Sequence, residues 1–241
     1  FLEGGLSRDG LLGEPKLGFL DYMLRQYDWQ TDRDIVFVPV GINYDHVLED
    51  NNLLDWSDES GRLSKSQHAK VFWQFLSKNL FIGSRARWKR FGYASVNFGV
   101  PVSMREYCAT NGVDFKHLIK EKRIAKVAEL AKILMDALRH VMPILPVPLI
   151  AVVLNRAGEE SMTSLEIVSS CDDLIDEMIQ RGAAMKAEEK PRHRTLSNSL
   201  DLLKERNLLI EQNDHYKVNP EHQALITYYA NSIECIGIKE K

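Results

Sequence analysis

The sequence predicts an α/β fold in its first half and a mostly helical second half. Three observations carry that prediction. A short β-branched run, IVFVPVGI (35–42), follows FLDYMLRQY (19–27), whose apolar residues have helical spacing. From 115 to 142 the apolar positions Ile124, Val127, Ala131, Leu134, Leu138 and Val141 keep a period near that of an α-helix. Further on, SNSLDLLKERNLLIEQNDHYKVN (197–219) reads as an amphipathic helix running into two short strands around Asn213-Asp214, the outline of a winged-helix unit.

Taken in order, FLEGGLSRDG (1–10) reads as the end of a strand and the loop after it, and 19–27 as a helix. The run 35–42 is then a strand of the kind that a parallel sheet buries on both faces. Together these predict a βαβ unit whose first strand is cut at Phe1. KSQHAKVFWQFLSKNLF (65–81) predicts a second amphipathic helix with Ala69, Phe72, Leu76 and Leu80 on one side. YASVNFGVPVS (93–103) alternates like a strand and ends at Gly99 and Pro101.

The character changes near Val113, which divides the chain into an α/β part, 1–113, and a helical part, 114–241. In the long helix over 115–142 the Lys-Glu-Lys-Arg run at 120–123 is a solvated face. VMPILPVPLIAVVL (141–154) is shorter than the ~20 apolar residues that span a bilayer. Its three prolines predict a proline-started core helix ending near Asn155. A helix capped by Thr163, another over 172–185 and an exposed linker, AEEKPRHR (187–194), complete the reading.

The chain has 241 residues, 44% apolar and 27% charged, with a formal net charge of −3. That composition is ordinary for a globular protein, and the charge argues against a polyanion binder. Cys108, Cys171 and Cys235 are odd in number and far apart, so neither a zinc site nor a disulfide framework is predicted, and a reducing compartment fits. No signal peptide is visible. LEDNNLLDWSDE (48–59) is acidic but lacks the glycine and terminal glutamate of a calcium loop.

The opening loop is the first candidate for chemistry. Gly4 and Gly5 let the backbone turn sharply and a ligand approach it, and Ser7 and Arg8 offer a hydroxyl and a guanidinium to a phosphate oxygen. Neither the P-loop nor the dinucleotide fingerprint is matched. A plain turn with a solvent-facing arginine is the alternative. The second candidate is KNLFIGSRARWKRFGY (78–93), which interleaves Arg85, Arg87, Lys89 and Arg90 with Phe81, Trp88 and Phe91. Such a patch suits an anionic lipid surface, the phosphates of coenzyme A, an acidic carrier protein or RNA, and a basic loop on a soluble protein is its plainer reading.

FLEGGLSRDG, PKLG (15–18), VPVGINYDHVLE (38–49), GYASVNFGVPVS (92–103) and QALITYYANSIE (223–234), taken in that order, resemble consecutive blocks of the bacterial membrane-bound glycerol-3-phosphate 1-O-acyltransferases, a branch of the glycerolipid acyltransferases. The resemblance implies the C-terminal part of an acyltransferase α/β domain followed by the helical, winged-helix-like part. It implies transfer of a fatty acyl group from acyl-CoA or acyl carrier protein to the sn-1 hydroxyl of glycerol 3-phosphate, the first step of phospholipid synthesis, without a metal or other cofactor. It places Glu3, Gly4, Gly5, Ser7 and Arg8 in the glycerol 3-phosphate pocket, with Lys16 as a helper and Pro39, Gly41 and Tyr44 shaping it. Where many relatives carry arginine this chain has Leu6, which leaves dihydroxyacetone phosphate or a lysophospholipid open as acceptor.

The family's catalytic His-x4-Asp lies upstream of the glycine block. None of the seven histidines here has an aspartate at that spacing, so the expectation is an N-terminally truncated fragment, inactive alone. The resemblance also implies a peripheral position on the cytoplasmic side of the inner membrane, an anionic membrane surface as partner, and acyl carrier protein as a further candidate partner. A winged-helix DNA-binding protein is the rival from another class. The acidic DDLIDE that opens the expected 172–185 helix speaks against it, and no nucleic-acid partner is expected.

Overall fold

The computed structural model describes residues 2–5, 7, 9–47, 92–183, 193–234 and 236. The expected 65–81 helix, the acidic stretch 48–59, the basic patch at 85–90, most of the 187–194 linker, Leu6, Arg8 and Cys235 lie outside the described residues.

Helix α1 (Leu17–Leu24) buries Leu20 and Leu24. The chain then enters strands β1 (Val36–Phe37) and β2 (Val40–Tyr44), and the returning strands are β3 (Ala94–Phe98) and β4 (Val102–Ser103). All pair antiparallel, Val36 opposite Ser103 and Val40 opposite Phe98. Between the two ladders, Val38 and Pro39 face three residues, Gly99, Val100 and Pro101, so the ribbon carries a one-residue bulge. Pro39 has no N–H to give, although its carbonyl accepts from the Gly99 N–H at 2.8 Å.

This corrects the sequence expectation of a parallel strand over 35–42 buried on both faces. The strand is broken at Pro39, antiparallel and covered on one side. Its inner side carries Gly41 and Asn43, while Val40, Ile42 and Tyr44 stay 36–45% exposed. The cause is a close approach. A Cβ on Gly41 would lie 2.4 Å from the carbonyl oxygen of Val141, and one on Gly99 would lie 2.7 Å from the Val141 side chain. Small residues face the packed helix because nothing larger fits, and the bulky ones turn outward. No strand is assigned over 2–5, where turns and bends stand in place of the expected first strand of a βαβ unit.

Helix α2 (Met104–Asn111) starts at Ser103, whose hydroxyl accepts from the Glu106 N–H at 3.1 Å. Helix α3 (Lys120–Val141) buries Val127, Leu130, Ala131, Leu134 and Met135. It begins five residues later than its periodicity suggests. Lys120, Glu121 and Lys122 are exposed as expected, but Arg123 bonds the Asp21 carboxylate at 2.7 Å and ties α3 to α1. With α1 and α2, it closes one core around Leu24, Met104, Phe115 and Leu130.

The axis then bends by 97° into α4 (Pro146–Ala157), in which every residue from Pro146 to Leu154 is buried. The proline-started core helix is as expected. No single described helix is long and apolar enough to cross a membrane. Strand β5 (Met162–Thr163) leads into α5 (Ser164–Gln180), opened by a reciprocal cap between Thr163 and Glu166. The sequence reading divided this stretch into two helices. Instead α5 runs unbroken past Asp172 and ends before Gly182, because Ile167, Cys171, Leu174, Ile175 and Met178 hold one buried stripe through the acidic residues.

Helix α6 (His193–Glu205) precedes strands β6 (Leu209–Gln212) and β7 (His215–Val218). Asn213 and Asp214 both have positive φ, as a two-residue hairpin turn needs. The sheet order is β5-β7-β6, all antiparallel. Helix α7 (Gln223–Glu234) packs against α4 and closes a second core that includes Ile150, Ile175, Leu200 and Ile226. The chain is thus a mixed α/β protein dominated by helix, with small antiparallel sheets.

Candidate functional site

The glycine loop over 2–13 is closed by its own backbone. The Glu3 carboxylate accepts from the Gly13 N–H at 2.6 Å, and the Leu2 carbonyl accepts from the Lys16 N–H at 2.8 Å. Gly4 has φ +77°, and a side chain there would press on the stem of Lys16. Asp9 organises the middle: its carboxylate accepts from the Ser7 hydroxyl at 3.1 Å and from the Leu11 N–H at 3.0 Å, a local turn of the kind aspartate favours.

Beneath the loop lies a cavity of about 1140 Å³. Its walls come from the loop, α1, β2, the last turns of α3 and the C-terminal helix α7, and they are mostly apolar: Leu11, Phe19, Ile42, Leu138 and Met142 among them. Glu3, Gly5, Ser7, Pro39 and Tyr44 line it; Lys16 is exposed outside it, and Gly4 and Gly41 are not among its lining residues. The polar contribution at the loop is small, because Ser7 and Glu3 spend hydrogen bonds on the loop itself.

Three of the sequence blocks meet here through α7. Asn231 Nδ2 donates to the Asp9 carbonyl at 2.7 Å. Asn43 Nδ2 donates to the Pro143 carbonyl at 2.9 Å and to the Ser232 hydroxyl at 3.4 Å. The Tyr229 hydroxyl accepts from the Val47 N–H and from Arg206 Nη1, each at 3.2 Å. Tyr228 joins the cavity wall.

Asp45 sits one residue past β2 with no exposed surface. Its two carboxylate oxygens accept the N–H groups of Val147 and Tyr93, each at 2.9 Å. Val147 is in the first turn of α4, where Leu145 at the N-cap position offers no side-chain oxygen; a carboxylate a hundred residues away caps the helix instead. Burial pushes Asp45 up to about 6, with the two N–H donors opposing the rise.

The sequence reading missed Asp9, Gly10, Asn43, Asp45 and Asn231. The Asp9-Gly10 pair carried a turn signal that could have marked the loop's tip. Nothing local could pair Asp9 with Asn231 or Asp45 with Val147. Both described cysteines are buried, and burial pushes the Cys108 thiol up to about 11 and the Cys171 thiol up to about 12, which disfavours the thiolate. Among the described residues no group of three or more His, Cys, Asp or Glu could hold a metal ion.

Fold and site together define a mixed α/β protein in which a glycine-rich loop roofs one large apolar cavity. The family follows from comparison with known proteins. The model of the glycerol-3-phosphate acyltransferase C-terminal region matches residues 76–238, more than half of the chain, and the chain belongs to that family. It is similar to the glycerol-3-phosphate acyltransferases of Pseudoalteromonas translucida (strain TAC 125), 28% identical over 245 residues, and of Pseudomonas aeruginosa (strain LESB58), 28% identical over 248. That of Pseudomonas savastanoi pv. phaseolicola (strain 1448A / Race 6) is 27% identical over 249 residues. In each case the match covers 97% of this chain and 28% of the relative, so the chain spans less than a third of the length of these relatives.

Proposed function

We propose that this chain supplies the acceptor-binding loop and part of the acyl-chain cavity of a glycerol-3-phosphate acyltransferase, which moves a fatty acyl group from acyl-CoA or acyl carrier protein to the sn-1 hydroxyl. The observation that carries the reading is the meeting of the glycine loop, residues 38–47 and α7 around one apolar cavity of about 1140 Å³. A reaction between a small polar phosphate and a long acyl chain needs hydrogen-bonding groups at the edge of an apolar space, and the glycine loop beside the apolar cavity supports that reading. In the reaction the acceptor oxygen bonds the thioester carbonyl carbon, its proton goes to a base, and the thiolate leaves. This chain has no histidine with an aspartate five residues on, and its share of the work is binding.

Arg8 is the principal phosphate contact in this reading, and the basic and aromatic residues Arg85, Arg87, Trp88, Lys89 and Arg90 meet an anionic membrane surface or acyl carrier protein. The protein works at the cytoplasmic face of the inner membrane without a metal or other cofactor. The order β5, α5, α6, β6, β7 with sheet order β5-β7-β6 supports a winged-helix-like reading of 163–219. It serves as a packing or partner module rather than a DNA reader, since α5 carries Asp172, Asp173, Asp176 and Glu177 and α6 carries Asp201 and Glu205.

The test gives the complete gene product labelled glycerol 3-phosphate and palmitoyl thioester in mixed micelles, beside an Arg8→Ala variant. Lysophosphatidate from the wild type, with acceptor KM raised at least tenfold in the variant on the order of a lost charge-assisted bond, supports the reading. Turnover only with dihydroxyacetone phosphate or a lysophospholipid would instead tie Leu6 to a change of acceptor.

A further inference from the structure

The glycine loop does not hold its place in the molecule alone. Its ends are tied to each other, but its middle rests on α7 through two contacts at adjacent residues. Asn231 Nδ2 donates to the Asp9 carbonyl at 2.7 Å. Gly10, at φ +85°, lies so near α7 that a Cβ there would sit 2.1 Å from the Tyr228 carbonyl oxygen and 3.1 Å from the Asn231 Cβ. The same helix holds the other wall of the cavity, through Ser232 to Asn43 and through Tyr229 to Val47. One rigid helix therefore sets the distance between the loop and the ribbon, although 222 residues separate Asp9 from Asn231.

We propose that Asn231 is a positioning residue for the acceptor: it fixes the loop that carries Ser7 at the rim of the cavity. This rests on the acyltransferase reading above and adds to it a residue that touches neither substrate. Asp9 also accepts from the Ser7 hydroxyl at 3.1 Å, so a shift of Asp9 carries the Ser7 side chain with it. A donor is required at 231, because the partner is a carbonyl oxygen. Asn231→Asp keeps the shape and removes the donor, whereas Asn231→Ala removes both.

The experiment measures acylation of glycerol 3-phosphate by the complete gene product and by the Asn231→Asp and Asn231→Ala variants, with hydrogen exchange of the loop amides in the same samples. Both variants should raise the acceptor KM by about fivefold, the size of one hydrogen bond to backbone. kcat and the KM for the acyl thioester should hold, and exchange at Leu11 and Gly13 should quicken while α4 stays protected. An active wild type with unchanged acceptor KM in both variants overturns the inference. So does an Asn231→Asp variant that behaves as wild type while Asn231→Ala fails, since packing rather than the hydrogen bond would then be at work. Global loss of protection marks a variant that has unfolded, and Asn231→Asp, the isosteric change, then decides. A wild type with no turnover on glycerol 3-phosphate sinks the acceptor reading itself.

Discussion

At the scale of residues, the most informative side chains are those whose surroundings contradict their chemistry. Asp45 is a fully buried carboxylate whose two oxygens accept backbone N–H groups. Its folded pKa of about 6 is above the ordinary 3.8, so the folded state holds its proton more tightly than the unfolded state does. The stability tied to this group is present at acid pH and is lost as pH rises through about 6, on the order of 3 kcal/mol in all. Asp28, Asp34 and Glu166 act oppositely: hydrogen bonds hold each below its usual value, so their contribution falls away in stronger acid. Urea unfolding should therefore show wild-type stability declining from about pH 4 to about pH 7, the span between the unfolded and folded values, and Asp45→Asn should flatten that slope. A slope equally steep in the variant would mean that Asp45 is not its source.

Glycines divide at the same scale by what a methyl group would meet. Gly5 has nothing within 4 Å of an added Cβ, whereas Gly41 has the Val141 carbonyl at 2.4 Å. Gly41→Ala should lower stability by about 1–3 kcal/mol, the ordinary range for overpacking, read as a fall in Tm. Gly5→Ala should leave Tm within a degree or so on the scale of a neutral surface change. Any loss of glycerol 3-phosphate acylation in Gly5→Ala then reports approach of the ligand to the backbone rather than damage to the fold.

At the scale of elements, the helices were the legible part of this sequence. The stripe in α3, the proline start of α4, the Thr163 cap and the hairpin turn at Asn213-Asp214 are local signals, and each is found where its residues stand. The strand over 35–42 misled because a run of Val and Ile normally marks burial on both faces. Here the end of α3 lies against Gly41 and Gly99, so the buried side of the ribbon is its small-residue side. The break expected before Asp172 failed for a related reason: acidic residues on the outer side of α5 do not interrupt an apolar stripe that continues on the inner side. The candidate site was legible as a glycine loop, but the helix that it rests on was visible only as a block, QALITYYANSIE, resembling the family's C-terminal end, with no partner to name.

At the scale of the whole molecule, the ribbon exposes several large apolar side chains. Val96 is 50% exposed, Phe98 73% and Val100 84%, beside Val38, Val40 and Ile42. Apolar faces on short strands favour association. The 241-residue chain should self-associate at micromolar concentration, and a Val96→Lys, Phe98→Lys double variant should be monomeric by sedimentation. A monomeric wild type would show that the face is tolerated in water. The charges belong on this ribbon face, away from Asn43 and Asp45, so the variant leaves the ties to α4 and α7 in place.

By itself the sequence determined α1, α3, α4, the Thr163 start of α5, α6, the turn at Asn213-Asp214, the glycine loop and the family, because these depend on residues close together or on motifs that occur in order. Only the tertiary structure decided which side of the ribbon is buried, that Asp45 caps α4, and that the first block of the chain rests on its last helix. Those outcomes depend on contacts between residues about a hundred to more than two hundred positions apart. No local pattern encodes such a contact: a carbonyl, an amide or a buried carboxylate acquires its role only from the partner that packing brings to it.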